Sequence, residues 1–193
     1  MVLQCLVNST NAKPMWLEIT KTVLGTVFIA VVYGITHDMV TAHTEISYFT
    51  MFHPHIINSA SPVDQALAWG VIATWWMGLM IGVAIALCSQ LGPNPRISAG
   101  QALKSLTKAT VFVFIVAMAT LAIGLRFFEG KTVEFQPDPS DTSGRFLAVL
   151  TTHQVSYFLS AIMAVGLCLV VLRKRSKLVA NPPTSNPETI PPQ

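Results

Sequence analysis

The apolar residues of this chain lie in four long blocks that are separated by polar connections. Each block is long enough for a helix to cross the ~30 Å hydrocarbon core of a bilayer at about 1.5 Å per residue. The pattern predicts an all-α membrane protein with four transmembrane helices in a bundle, and residues 1–178 are expected to form this single domain. The proline-rich tail at 179–193 is expected to be disordered. The predicted spans cover about residues 14–36, 65–91, 106–128 and 146–172.

Composition supports a membrane environment and excludes an ordinary soluble domain. The chain is 52% hydrophobic and only 11% charged, whereas soluble domains carry about 25% charged residues. A net charge of +3 gives no indication of a nucleic-acid partner, so the lipid bilayer is the expected partner. Small residues spaced four apart, such as Gly78 and Gly82, let membrane helices approach closely, which leaves another membrane protein or a second copy of this chain as further partners.

The charged residues orient the predicted bundle. Nine of the twelve lysines and arginines lie near the N-terminus, in the connection at 96–108 or near the C-terminus. The other two connections hold seven of the nine acidic residues. Because basic connections stay in the cytoplasm, this distribution predicts that both termini are cytoplasmic and that the two acidic connections lie outside.

The first outer connection is rich in histidine. Residues 37–55 contain four of the five histidines of the chain, and this segment is expected to fold over the outer mouth of the bundle. His43, His53 and His55 are expected to be exposed to water. The fifth histidine, His153, lies in the outer third of the fourth predicted helix.

Two conformations remain open for residues 38–52. In a helix, Asp38, Thr41, Glu45 and Tyr48 share one face, whereas the many threonine and aromatic residues suit a strand. The helix is favoured, because a lone strand beside lipid would need other protein to satisfy its backbone.

Ionisable groups at membrane depth are costly and usually functional, and imidazole and carboxylate are common ligands of transition metals. We therefore expect His37, Asp38, Glu45 and His153 to line an outward-facing pocket that binds a metal ion or a small ligand. Arg126, at the outer end of the third span, is expected to supply a counter-charge. The sequence contains no HExxH or ExxH motif, and it identifies no catalytic residue and no definite cofactor.

Three other functions are considered. A b-type haem could be held by His37 and His153, but these residues are expected to differ in depth by about 5–10 Å, which disfavours it. The chain could be a structural subunit of a membrane complex. A transporter is disfavoured because the spans hold almost no charge at mid-membrane and show no pair of interrupted helices.

The segment around His37 also resembles an uncharacterised group of small bacterial integral membrane proteins. The resemblance rests on His37-Asp38, Thr41-Ala42, Tyr48-Phe49-Thr50, His53-Pro54 and the tryptophan-rich run at 69–76. The chain departs from that group at Ser47, where the group carries an acidic residue. The resemblance implies a multi-pass protein of the bacterial cytoplasmic (inner) membrane and implies no activity.

Overall fold

The computed structural model of the chain describes residues 14–135 and 138–180. Four stretches, Met15–Thr44, Pro62–Gln90, Ala99–Phe127 and Gly144–Ala180, are long and apolar enough to cross a membrane, which confirms the predicted all-α four-helix bundle. A short antiparallel hairpin between the third and fourth spans is an unpredicted addition. The elements in chain order are α1 (Met15–Thr44), α2 (Ser47–Thr50), α3 (Pro62–Ile72), α4 (Trp75–Gln90), α5 (Ala99–Phe127), β1 (Thr132–Phe135), β2 (Asp138–Ser143) and α6 (Gly144–Ala180).

The last helix continues beyond its predicted end. The sequence places the end of the fourth span at about residue 172, but α6 continues through the basic run to Ala180. Disorder was predicted for the tail at 179–193. From residue 181 onward, this tail lies outside the described part of the chain.

Helix α1 buries polar residues and exposes apolar ones. Glu18, Thr22 and Thr26 are buried on its inner face, while Leu24 and Phe28 are 64% and 69% exposed on the outside. A helix in lipid is stabilised by this arrangement, because lipid chains solvate apolar side chains and only the bundle interior offers hydrogen-bond partners. The threonines meet this need locally, since each hydroxyl donates to the carbonyl oxygen four residues earlier.

The second span is interrupted where it crosses α1. It changes from α3 to α4 at Ala73 and Thr74, and the Thr74 hydroxyl donates to the carbonyl oxygen of Gly70. A Cβ atom added at Gly70 would lie 2.5 Å from the backbone nitrogen of Ile35, and one added at Gly34 would meet the Gly70 carbonyl oxygen. The two backbones therefore touch directly, which only glycine permits. The hydropathy pattern does not reveal this interruption.

The small residues that were expected at a helix interface do lie at one. A Cβ atom added at Gly78 would lie 2.8 Å from the Cα atom of Val27, and one added at Gly82 would lie 3.0 Å from the Cα atom of Val23. Both glycines therefore pack α4 against α1 within the same chain.

One end of the bundle, here called the arginine end, is organised by Arg175 of α6. Arg175 is 2% exposed, and its guanidinium donates to four backbone carbonyl oxygens at the end of α4 and in the following loop. The accepting carbonyl groups lie at a helix C-terminus and in a turn, where backbone carbonyl groups have no partner within the helix. The four acceptors are the carbonyl oxygens of Cys88, Leu91, Asn94 and Pro95.

The start of α1 lies at the same end. The Glu18 carboxylate accepts a hydrogen bond of 2.6 Å from the backbone nitrogen of Ala99, the first residue of α5. The N-terminal end of the first span and the C-terminal end of the last span therefore lie on one side of the bundle. The opposite side, here called the histidine end, carries α2, the hairpin and the histidines of residues 37–55.

The helical alternative for the histidine-rich segment is confirmed. Helix α1 continues without interruption through Thr44, and after Glu45 and Ile46 the short helix α2 covers residues 47–50. No strand lies between residues 38 and 52.

Candidate metal centre

Three of the predicted ligands meet in the bundle interior at the histidine end. The Nδ1 atom of His37 lies 3.0 Å from Oδ1 of Asp38, and the Nε2 atom of His153 lies 3.3 Å from the same oxygen. One ligand atom from each residue lies within 4.8 Å of the other two. The helical form of residues 37–44 places the two α1 groups next to each other, and α6 supplies the third from across the bundle.

The hydrogen bonds fix the protonation of one ring nitrogen. The Nδ1 atom of His153 lies 2.9 Å from the carbonyl oxygen of Val149, and a carbonyl oxygen only accepts. Nδ1 of His153 therefore carries the hydrogen, and in the neutral ring Nε2 presents its lone pair towards the Asp38 carboxylate. Two acceptors in this position repel each other unless a proton or a metal ion lies between them.

His37 offers a second unused lone pair. When its Nδ1 atom donates to Asp38, its Nε2 atom has no proton, and this buried atom has no hydrogen-bond partner among the described residues. An unsatisfied buried acceptor is costly. A hydrogen-bond donor or a cation at this nitrogen would remove that cost.

The three groups are shielded from water. His37, Asp38 and His153 are 3%, 6% and 5% exposed, and the carboxylate has no basic partner other than the two imidazoles among the described residues. A buried charge of this kind is stable only when it is paired or coordinates a metal. The chemistry of the donor set therefore favours a cation at its centre.

An aromatic lid closes the site on the side that faces away from the bundle. The lid consists of Tyr48, Phe49, Phe52 and His53. The Tyr48 ring stacks on His153 with centroids 4.4 Å apart, and Phe49 contacts the same imidazole edge-on at 5.8 Å. Both rings are buried, so the lid keeps water from the candidate ligands.

His53 belongs to this lid, which corrects the expectation that it is exposed to water. Its Nδ1 atom donates to the carbonyl oxygen of Tyr48 at 2.9 Å, and its ring lies 4.6 Å from that of Trp69. Burial lowers the pKa of His53, so the ring is neutral at pH 7. His43 and His55 are exposed, as predicted.

Glu45, the fourth predicted ligand, does not join the group. Its carboxylate accepts hydrogen bonds from the backbone and hydroxyl of Ser47 and from the hydroxyl of Ser143. Glu45 follows the last residue of α1, so the helix no longer directs its side chain towards Asp38. It instead joins the start of α2 to the end of the hairpin.

Arg126, which was expected to supply a counter-charge at this site, pairs with a different carboxylate. Its guanidinium donates to Glu129 at 2.8 Å, and its side chain is 84% exposed. An exposed cation that already has a carboxylate partner contributes little electrostatic stabilisation to a charge buried inside the bundle. Among the described residues, the only side-chain partners of Asp38 are the two imidazoles.

A small chamber lies deeper in the bundle. It has a volume of about 90 Å³ and is lined by all four spans, which is room for several water molecules. The hydroxyl groups of Tyr33 and Ser156, 2.5 Å apart, stand at its border. Because Tyr33 also stacks on His37 with ring centroids 5.6 Å apart, it lies between the chamber and the candidate ligands.

The arrangement of the two imidazoles opposes the haem alternative. Their ring centroids lie 4.6 Å apart in an edge-to-face contact, which leaves no space for a porphyrin between them. The expected difference in depth is wrong, since the two rings are in contact. Haem is disfavoured because the rings lie too close together.

Comparison of the chain with protein-family models, with curated proteins and with solved structures found no match.

Sequence reasoning missed Tyr33, Tyr48 and Ser156, which surround the site. Tyr33 is one helical turn before His37, and Ser156 is nearly one turn after His153, so both fall on the faces that carry the metal-binding groups. That spacing is visible in the sequence once the helices are known. The role of Tyr48 depends on how α2 folds back over the bundle, which no local pattern shows.

Proposed function

We propose that this chain is a multi-pass membrane protein that binds one divalent transition-metal ion through His37, Asp38 and His153. The observation that carries the proposal is the pair of facing acceptors: the Nε2 atom of His153 and the Oδ1 atom of Asp38 are 3.3 Å apart. Imidazole and carboxylate together suit zinc, iron, copper and nickel. The bond from His153 to the Val149 carbonyl oxygen is the support that metal-binding histidines commonly have.

The geometry needs only a small adjustment to hold the ion. Ligand atoms about 2.1 Å from a common zinc ion are at most about 4.2 Å apart. The three candidate atoms already lie within 4.8 Å of one another. Three protein ligands leave one position of a tetrahedral site for water or another molecule.

Zinc binding to purified protein in detergent tests the proposal. After removal of metals with a chelator and dialysis, titration with zinc should show one ion bound per chain. Asp38→Asn keeps the shape of the side chain and removes its charge, so it should weaken zinc binding by at least about tenfold. An absorption spectrum of the same preparation should show no haem band.

His43→Gln provides the matched control. His43 lies on the same helix and is exposed, and its Nδ1 atom bonds the carbonyl oxygen of Met39. This variant should bind zinc as the unaltered protein does. A folded protein that binds no zinc, or that loses as much affinity in His43→Gln as in Asp38→Asn, would rule out the proposed centre.

We further infer that the protein lies in a bacterial cytoplasmic membrane with the arginine end inside. The support is the charge distribution, because nine of the twelve basic residues belong to that end and to the flanking termini. The metal centre would then open towards the outer surface. A fluorescent protein fused to the C-terminus should fold and fluoresce in the cytoplasm, and a dark fusion with an outward C-terminus would contradict the orientation.

A further inference from the structure

The three basic residues between the third and fourth spans surround one pocket. Arg126 comes from the end of α5, Lys131 from the connection and Arg145 from the start of α6. The pocket has a volume of about 490 Å³ and is also lined by Glu129. These residues do not contribute to the metal centre, and the proposed metal binding does not explain them.

The pocket lies where two spans meet the membrane surface. The third candidate span ends at Phe127 and the fourth begins at Gly144, so the basic groups stand at the level where a lipid head group begins. Phe127 is 64% exposed and points an apolar ring to the surroundings. The site therefore combines positive groups with an apolar neighbour at the boundary of the bilayer.

Among the described residues that line this pocket, three carry positive charge and one, Glu129, carries negative charge. Arg126 pairs with Glu129, whereas Lys131 and Arg145 have no ion pair among the described side chains. The Lys131 ammonium instead lies 3.8 Å from the centroid of the Phe127 ring. Two of the three cations are thus available to an incoming anion.

We propose that this pocket binds the phosphate group of an anionic phospholipid. A guanidinium donates two parallel hydrogen bonds to phosphate oxygens, and the first turn of α6 adds the positive end of a helix dipole. The exposed Phe127 ring lies beside these groups and packs against the glycerol and upper acyl region of the same lipid. Free phosphate shares the head-group chemistry and lacks the apolar part.

Native mass spectrometry of the full chain in neutral detergent, with added phosphatidylglycerol, tests the proposal. We expect one tightly bound phosphatidylglycerol and much weaker binding of phosphatidylcholine. The triple variant R126Q/K131Q/R145Q removes the three cations and should weaken phosphatidylglycerol binding by about tenfold or more. Its circular dichroism and zinc affinity should stay unchanged, which shows that the bundle is intact.

The basic run at the arginine end offers a matched control with the same change of charge. R173Q/K174Q/K177Q alters three exposed residues and should leave the tightly bound lipid in place. If both triple variants weakened phosphatidylglycerol binding equally, the lipid would be attracted by net charge alone, and the proposed site would be wrong. Displacement of the lipid by millimolar inorganic phosphate would also overturn it, because the ligand would then be a soluble anion.

Discussion

At the scale of single residues, the candidate site is defined by which imidazole nitrogens carry a hydrogen atom. The Val149 carbonyl oxygen obliges Nδ1 of His153 to donate, so Nε2 of the neutral ring confronts the Asp38 carboxylate as an acceptor. Nε2 of His37 is buried without a partner among the described residues. The conflict between His153 and Asp38 disappears when a cation lies between Nε2 and the carboxylate.

The lid should loosen in mild acid because of His53. Burial lowers the pKa of His53 in the closed state below the value of about 6.5 that an exposed imidazole has. When the pH falls below about 6.5, the exposed His53 of the open form takes up a proton before the buried His53 of the closed form does. The closed form is therefore fully stable above this pH and becomes less stable, relative to the open form, as the pH falls further. Trp69 lies against the His53 ring, and its fluorescence should report the change between pH 7.5 and 5.

The variant His53→Gln should abolish this acid response, while His55→Gln at the neighbouring exposed position should retain it. A Trp69→Phe variant identifies the signal that comes from the lid. The same acid response in His53→Gln would show that another group controls the lid.

At the scale of elements, α1 organises the bundle through one face. This face carries Thr22 and Thr26, the close contact at Gly34, and the candidate ligands His37 and Asp38. The other spans pack around it, and α4 does so with backbone contacts at its glycines. His37 and Asp38, two of the three candidate ligands, are therefore positioned by a packed helix and not by a loop.

Substitution of Gly70 tests this contact. In Gly70→Ala the added methyl group would meet the backbone of Ile35, which cannot move aside as a flexible side chain could. The variant should lose about 1–3 kcal/mol of unfolding free energy, measured by denaturant titration in detergent micelles. The same change at Gly166, where a Cβ atom would meet nothing within 4 Å, should be neutral or add up to ~1 kcal/mol. Equal losses in both variants would refute the close crossing.

The sequence predicted much of the element structure and less of the site. Apolar block length is enough to locate four spans, and the cost of an unpaired strand backbone beside lipid favours the helix that is observed in the 38–52 segment. His37, Asp38 and His153 are identifiable because ionisable groups at membrane depth are rare. Glu45 and Arg126 look equivalent to them in the sequence. Their separate partners, Ser143 and Glu129, depend on where a helix ends and how a connection folds, and neither is encoded in hydropathy.

At the scale of the whole molecule, the two ends of the bundle are built differently. The histidine end holds a shielded group of ionisable residues under an aromatic lid. The arginine end is fastened by Arg175, which joins the last helix to the loop between the second and third spans. That fastening sets the position of α6 along the bundle, and with it the height at which His153 meets Asp38.

Arg175→Lys should weaken the whole bundle even though the charge is kept. A single ammonium cannot reach the four carbonyl oxygens that the guanidinium serves, and unsatisfied buried acceptors cost about 1–3 kcal/mol each. We expect a loss of about 3 kcal/mol in unfolding free energy together with weaker zinc binding. The neighbouring exposed Arg173→Lys serves as control and should change neither quantity, so equal effects of the two substitutions would contradict this role.

The metal centre itself is tested most directly by X-ray absorption at the zinc edge, on purified protein loaded with one equivalent of zinc. We predict that nitrogen and oxygen atoms surround the zinc ion at about 2.0–2.2 Å, with the multiple-scattering signature of two imidazoles. In Asp38→Asn that shell should lose its order or its occupancy. Cys88 and Cys168 are free cysteines, and a zinc shell that contains their sulfur atoms, or one made only of oxygen atoms, would contradict the proposed centre.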